Sequence, residues 1–450
     1  MTSNHNYKDH FKKTFLLAYP VMLSQVGHIF TGIADSVMVG RLGAEPLAAA
    51  SLAHGIFAVI MVFGIGVTFG VTPLVASEAG EKKDLSDSTL LSNSLVVNML
   101  TGFILFLILF LVSPALRILN QPMEVVDLAI PYFNILLFSL IPLLFFQTYK
   151  QFAEGLSFTR MAMIVSLSGN LFNIILNYIL IYGKLGFPAM GLNGAGWATL
   201  IARTAMGIAM AVYVLNSFSF KKHDTKFHVN KVSAPLLKRI TQIGIPIGMQ
   251  FTIEVGAFAF AAVMIGWIGA QPLAAHQIAL SMAAFTYMLA SGISAATTVR
   301  VGNAFGRKDL TGLQYAANTS FIMVLIFMGC CAVFFILANN WLPTLFIKEI
   351  QVVEIAASLL IIAAFFQLSD GMQVVVLGAL RGLHDVNWPT IITVIAYWII
   401  ALPVGYFLGF ILNYKALGVW IGLLTGLLAA ATLLYWRFRY ISARKLQAIS

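Results

Sequence analysis

The chain has 450 residues, 60% hydrophobic and only 10% charged, with a formal net charge of +10. A soluble domain averages about 25% charged residues, so this composition describes an integral membrane protein with almost no soluble part. The basic excess forms no long run and no zinc-finger or recognition-helix pattern, which argues against a nucleic-acid partner and for a topology signal. A membrane span needs about 20 apolar residues. Hydropathy with turn punctuation predicts twelve spans, near residues 15–39, 47–76, 88–112, 124–149, 161–182, 190–216, 236–266, 272–302, 311–338, 350–379, 388–411 and 416–437. Several are longer than a straight crossing requires, which implies tilt or helix ends that leave the membrane. The expected fold class is therefore an all-α integral membrane protein with 12 transmembrane helices. The polar start of the chain and the length of the first apolar stretch argue against a cleavable signal peptide. Cys330 and Cys331 are adjacent in an apolar run and make neither a disulfide framework nor a metal pattern.

Basic residues orient the spans. With the N-terminus in the cytoplasm, the inner side holds 21 of the 27 Lys and Arg, Lys82, Lys83, Lys221 and Lys222 among them. The outer side holds 5, and Arg203 falls within a span. This asymmetry predicts that both termini are cytoplasmic. The longest polar segment, 217–235 (SFSFKKHDTKFHVNKVSAP), then reads as a cytoplasmic linker. It divides the chain into an N-terminal six-helix lobe (1–216) and a C-terminal six-helix lobe (236–437), followed by a cytoplasmic tail (438–450).

The two lobes repeat each other. GRLGAEPLAA at 40–49 matches GWIGAQPLAA at 266–275, an offset of 226, and Pro20 matches Pro246 at the same offset. GEKKDL at 80–85 matches GRKDL at 306–310 with one deletion. Six spans per copy is an even number, so both copies enter the membrane in the same direction. Such parallel repeats are common in transporters that work by alternating access.

Three carboxylates stand inside the predicted spans: Asp35 in TGIADSVMVG, Glu254 in QFTIEVGAFAF and Asp370 in FFQLSDGMQVV. An acid at the centre of a span costs about 2.5–3.5 kcal/mol on insertion scales, and its default reading is an ion, proton or substrate site. A carboxylate suits either coupling ion: it holds a proton, or it binds sodium if other oxygens complete the shell. Gln250 lies one turn before Glu254, and Gln367 three residues before Asp370, so each of these acids has an amide within reach on its own helix. None of the three acids has an acidic counterpart in the other repeat, which predicts that the two lobes carry different sites.

This combination resembles the multidrug and toxic compound extrusion (MATE) transporters, in particular their NorM-like bacterial branch. The resemblance rests on two six-helix halves, an acid late in the first helix, a Glu in the seventh, an Asp in the tenth, and the G-x-x-G-A-x-P-L-A-A turns. It covers essentially the whole chain. It implies a secondary antiporter without a cofactor or ATP site. Coupled to sodium or protons, the antiporter would export amphipathic, often cationic, drugs across the bacterial inner membrane by alternating access of the lobes. It also implies that Asp35, Glu254 and Asp370 carry the coupling cation. Asn173 and Asn177 on the fifth helix, with Thr199 on the sixth, would support Asp35. The expected state is a monomer among membrane lipids.

Two other functions fit the composition. A lipid-linked oligosaccharide flippase of the same superfamily would want a basic cavity, whereas Arg203 is the only deep cation in the sequence. An integral-membrane enzyme could use an aspartate pair, but no HExxH, phosphate-loop or nucleophile-elbow motif occurs. The chain is expected not to be an enzyme.

Overall fold

The computed structural model describes residues 6–81, 89–118, 121–220, 223 and 225–447, with the side chains of 445–447 excluded. Lys82, Lys83, Lys221 and Lys222 lie outside the described residues, as does most of the 80–85 copy of the shorter repeat string. Twelve helices are long and apolar enough to cross a membrane. They are α1 (Tyr7–Gly40), α2 (Ala44–Gly80), α3 (Leu90–Ile118), α4 (Met123–Gly155), α5 (Thr159–Tyr182), α6 (Gly191–Asn216), α7 (Ala234–Gly266), α8 (Ala270–Gly306), α9 (Leu310–Leu337), α10 (Ile350–Gly382) and α11 (Asn387–Ile411), with α12 (Lys415–Gln447). Among the described residues there is no strand. The predicted spans all appear, each within a longer helix or at nearly its own length. The last helix runs on through most of the segment expected as a tail.

The repeated string has a local cause. Gly43 and Gly269 precede α2 and α8 with φ of 132° and 148°, backbone that only glycine adopts without strain. Pro46 and Pro272 sit in the first turns that follow, where a missing N–H breaks no helical bond. At the other end of a span, the Asp309 side chain accepts from Gly312 N at 2.8 Å and caps α9.

Spans α4 and α11 depart from regular α-helix. α4 breaks at Ser139, three residues before Pro142, because proline cannot bond back one turn. The Ser139 hydroxyl turns onto the Leu136 carbonyl at 2.6 Å. α11 widens into π-helical turns at Ile395–Ala401 and Phe407–Ile411. Gly418, Gly422 and Gly426 of α12 pack on this widened helix. A Cβ at Gly422 would lie 2.3 Å from the Gly405 Cα and 2.6 Å from the Ala401 carbonyl.

The chain divides into two compact units, and these differ from the sequence halves. One unit comprises Leu23–Val75 and Lys82–Gly248; the other comprises Met1–Met22, Ala76–Glu81 and Met249–Ser450. The polar stretch 217–235 is therefore not where the packing divides. The division falls inside α1 and α7, close after Pro20 and Pro246. The physical reason is close packing at small residues. The start of α7 lies on α2, where a Cβ at Gly248 would meet the Phe63 carbonyl at 2.8 Å. The start of α1 lies on α8, where a Cβ at Gly292 would meet Met22 N at 2.9 Å. Met22 and Gly248 are equivalent positions at the repeat offset, so one crossing occurs twice in the chain.

Each unit has its own apolar core. Phe57, Tyr132, Phe133 and Leu136 fill the first. Trp420, Tyr397, Leu380 and Leu434 are among the residues that fill the second.

Candidate functional site

In the first unit, Asp35 sits half-buried, five residues before the end of α1. Asn177 of α5 donates to Asp35 Oδ1 at 2.5 Å and to Asn173 Oδ1 at 3.2 Å. The i, i+4 spacing places both asparagines on one helix face, as the sequence implies. Tyr182 ties the same two helices together by donating to the Met38 carbonyl at 2.7 Å. Asn177 Oδ1 is buried without a partner, an oxygen left available beside a carboxylate. Thr199 does not join them by a hydrogen bond: its hydroxyl donates to the Ala195 carbonyl of its own helix at 3.0 Å.

Arg203 is the cation of this unit that the sequence singles out. It donates to Ser139 Oγ at 2.7 Å, with its guanidinium 5.5 Å from the centre of the Phe57 ring. It forms no ion pair with Asp35, although the two groups lie within electrostatic reach. The break at Ser139 supplies the hydroxyl that holds it. The Tyr132 hydroxyl, about two turns before this break, shares a 2.7 Å hydrogen bond with His54.

In the second unit, Glu254 of α7 and Asp370 of α10 are 7% and 3% exposed, and Asp370 lies within electrostatic reach of Glu254. Tyr397 donates to Glu254 Oε1 at 3.3 Å and Gln373 to the same oxygen at 3.5 Å. Gln373 also donates to the Tyr397 hydroxyl at 2.9 Å. Asp370 accepts no hydrogen bond among the described residues, and Tyr287 of α8 lies within electrostatic reach of both acids. These are two acids with loosely filled coordination, a phenol and an amide between three helices. Such oxygens suit a proton or a hard cation. Among the described residues no three His, Cys, Asp or Glu cluster together, so sodium here would need amide and hydroxyl oxygens as well.

The amides expected beside these acids are placed otherwise. Gln250 donates to Thr393 Oγ1 at 3.2 Å and accepts from Arg381 Nη2 at 2.9 Å. Gln367 accepts from Thr286 at 2.8 Å, and its Nε2 is buried without a partner. Gln373, Tyr397 and Arg381 do not stand out in the sequence. Gln373 carried a usable signal, since it lies three residues after Asp370 just as Gln367 lies three before. Tyr397 carried none, because the π-helical turn that holds it shifts the phase of α11.

The chain is similar to known proteins in sequence and in fold. The MatE family profile matches residues 20–179 and 246–407, one stretch in each repeat. Over 444 residues the chain is 33% identical to the multidrug resistance protein NorM of Photobacterium profundum, covering 98% of this chain and 97% of the relative. It is 34% identical over 434 residues to the probable multidrug resistance protein NorM of Rhodopseudomonas palustris, covering 96% and 92%. Its fold is that of a MATE crystal structure in the bent conformation, with a TM-score of 0.89 at 21% identity and 99% of each chain covered. None of these proteins is named as an enzyme. With both repeats matched and nearly the full length of the relatives covered, the chain belongs to the MatE family, in its NorM-like bacterial branch.

Proposed function

We propose that this protein is a multidrug efflux transporter that exchanges amphipathic, often cationic, small molecules for sodium ions or protons. The observation that carries this reading is the pair of acids in the second unit. Glu254 and Asp370 are buried inside apolar helices, paired with no basic side chain among the described residues, and surrounded by groups that can complete a cation's shell or stabilise a proton. An acid kept there at such an insertion cost supports a role in ion movement. In this reading Asp35, with Asn173 and Asn177, forms a second and different site in the other lobe, with Thr199 of the sixth helix in a supporting role. Gln250 and Gln367 act as supports behind the two acids of the second lobe.

Transport proceeds by alternating access of the two six-helix lobes, 1–216 and 236–437, joined by the linker 217–235. The chain works as a monomer in the bacterial inner membrane, among lipids, with the N-terminus and the 438–450 segment in the cytoplasm. The distribution of Lys and Arg supports that orientation.

The test is ethidium or norfloxacin transport by the purified protein in proteoliposomes, with sodium and proton gradients imposed separately. Glu254→Gln and Asp370→Asn are expected to abolish gradient-driven transport while leaving the protein folded. Undiminished transport in both variants would overturn the assignment of these acids.

A further inference from the structure

Arg381 stands at the last turn of α10, 8% exposed, and forms no ion pair among the described residues. A buried arginine without a carboxylate is costly in a membrane bundle, and its usual partners there are acids or backbone carbonyls. Here it is held by neutral groups. Its Nη2 donates to Gln250 Oε1 at 2.9 Å, and its guanidinium lies 4.9 Å from the centre of the Phe251 ring. Its Nε is buried with no acceptor.

The holding group is itself oriented. Gln250 donates through Nε2 to Thr393 Oγ1, and Thr393 donates onward to the Pro389 carbonyl at 2.9 Å. This chain of donors fixes the Gln250 amide with its oxygen toward Arg381. One helical turn beyond Gln250, about 6 Å along α7, stands Glu254, within electrostatic reach of the guanidinium. Its two hydrogen bonds, at 3.3 and 3.5 Å, are longer than ordinary O–H···O and N–H···O bonds. An arginine side chain is long and flexible enough to cross one turn.

We propose that Arg381 is a tethered internal cation: it pairs with Glu254 when the coupling ion has left, and Gln250 and Thr393 hold it aside when the site takes up an ion. This rests on the reading of Glu254 as a coupling acid. The device would spare the emptied carboxylate an unpaired buried charge while the lobes reset, and it would set how tightly the external ion must bind to displace the arginine. In this role Arg381 is a positioning residue that acts through Glu254. A purely structural role is the alternative, since a cation in the last turn also complements the helix C-terminus. That role changes stability but not ion dependence.

The experiment measures ethidium transport by full-length protein in proteoliposomes, at graded sodium and at graded pH without sodium. Arg381→Met removes the competitor and is expected to lower the half-saturating cation concentration roughly tenfold, the size of an ordinary coupling between two sites. Gln250→Leu releases Arg381 toward Glu254 and is expected to raise it by a similar factor. Arg381→Lys keeps the charge but loses the planar fork, and is expected to shift the half-saturating concentration in the same direction as Arg381→Met but by less. Half-saturation unchanged in both Arg381→Met and Gln250→Leu, or shifted in the same direction by both, would overturn the proposal. If Arg381→Met does not fold, Gln250→Leu decides alone: no rise overturns it. Glu254→Gln separates the two readings. If cation dependence persists in that variant, Glu254 is not the coupling acid; if it is lost, the acid stands whatever the Arg381 variants show.

Discussion

Gly80 and Gly306 hold the same position in the two repeats, and each lies against a backbone carbonyl of the other's helix. A Cβ on Gly80 would lie 2.1 Å from the Asn303 carbonyl oxygen, and one on Gly306 would lie 1.9 Å from that of Ser77. Ser77 and Asn303 are again equivalent positions at the repeat offset, so the contact is a pair of equal halves. Only bare Cα atoms fit such a crossing, and this fixes the residue type at both positions.

Gly306→Ala and Gly80→Ala are therefore expected to destabilise the protein by about 1–3 kcal/mol each, the range seen when well-packed contacts are overfilled. Thermal melting in detergent measures this. Gly329→Ala is the control, since nothing lies within 4 Å of its added Cβ, and its melting temperature is expected to hold or rise slightly. Equal melting of all three variants would mean that the crossing is not constrained.

The Asp35–Asn177 bond predicts non-additive losses. Asp35→Asn is expected to reduce gradient-driven ethidium transport at least tenfold, and Asn177→Ala to reduce it by less. The double variant is expected to transport as poorly as Asp35→Asn alone, because both changes remove parts of one interaction. Losses that multiply would show that the two residues act independently.

Tyr397→Phe tests the site of the second unit without disturbing its packing. The ring stays among the core residues, while the hydroxyl shared by Glu254 and Gln373 is lost. A stability loss of about 1 kcal/mol is expected from the missing hydrogen bond, with a change of several-fold in the cation concentration that half-saturates transport. An unaltered cation dependence would place Tyr397 in the core alone.

Gly422→Val is expected to be among the most damaging apolar substitutions in α12. Its Cβ would meet the Gly405 Cα at 2.3 Å and Ala401 behind it. α11 would have to move, carrying the π-helical turn and Tyr397 with it. Both thermal stability and ethidium transport should fall together, whereas transport at wild-type levels would refute the link between this packing and the site.

Much of the candidate site was legible, because an acid in an apolar run stands out whatever surrounds it. Its partners were less so. Gln250 and Gln367 lie one turn from their acids, and spacing alone favours them. In the structure they face Thr393, Arg381 and Thr286, while Gln373 and Tyr397 face Glu254. Two residues one turn apart on a helix share a face only approximately, and the neighbouring helix chooses between them. The contact of Asn177 with Asp35 was legible because it lies on a face that i, i+4 spacing and the family resemblance both marked.

Twelve spans, the positions of the helix turns, the copying of one half in the other and three acids in apolar runs are all legible in the chain itself. Those properties follow from transfer free energies and backbone constraints, which act residue by residue along the chain. Three-dimensional packing alone settled that α1 and α7 each start in one compact unit and finish in the other. It also decided that Tyr397 and Gln373 attend Glu254, and that Arg381 rests one turn short of it. Those facts depend on which helix faces meet at close range, and that is set by packing among residues far apart in the chain.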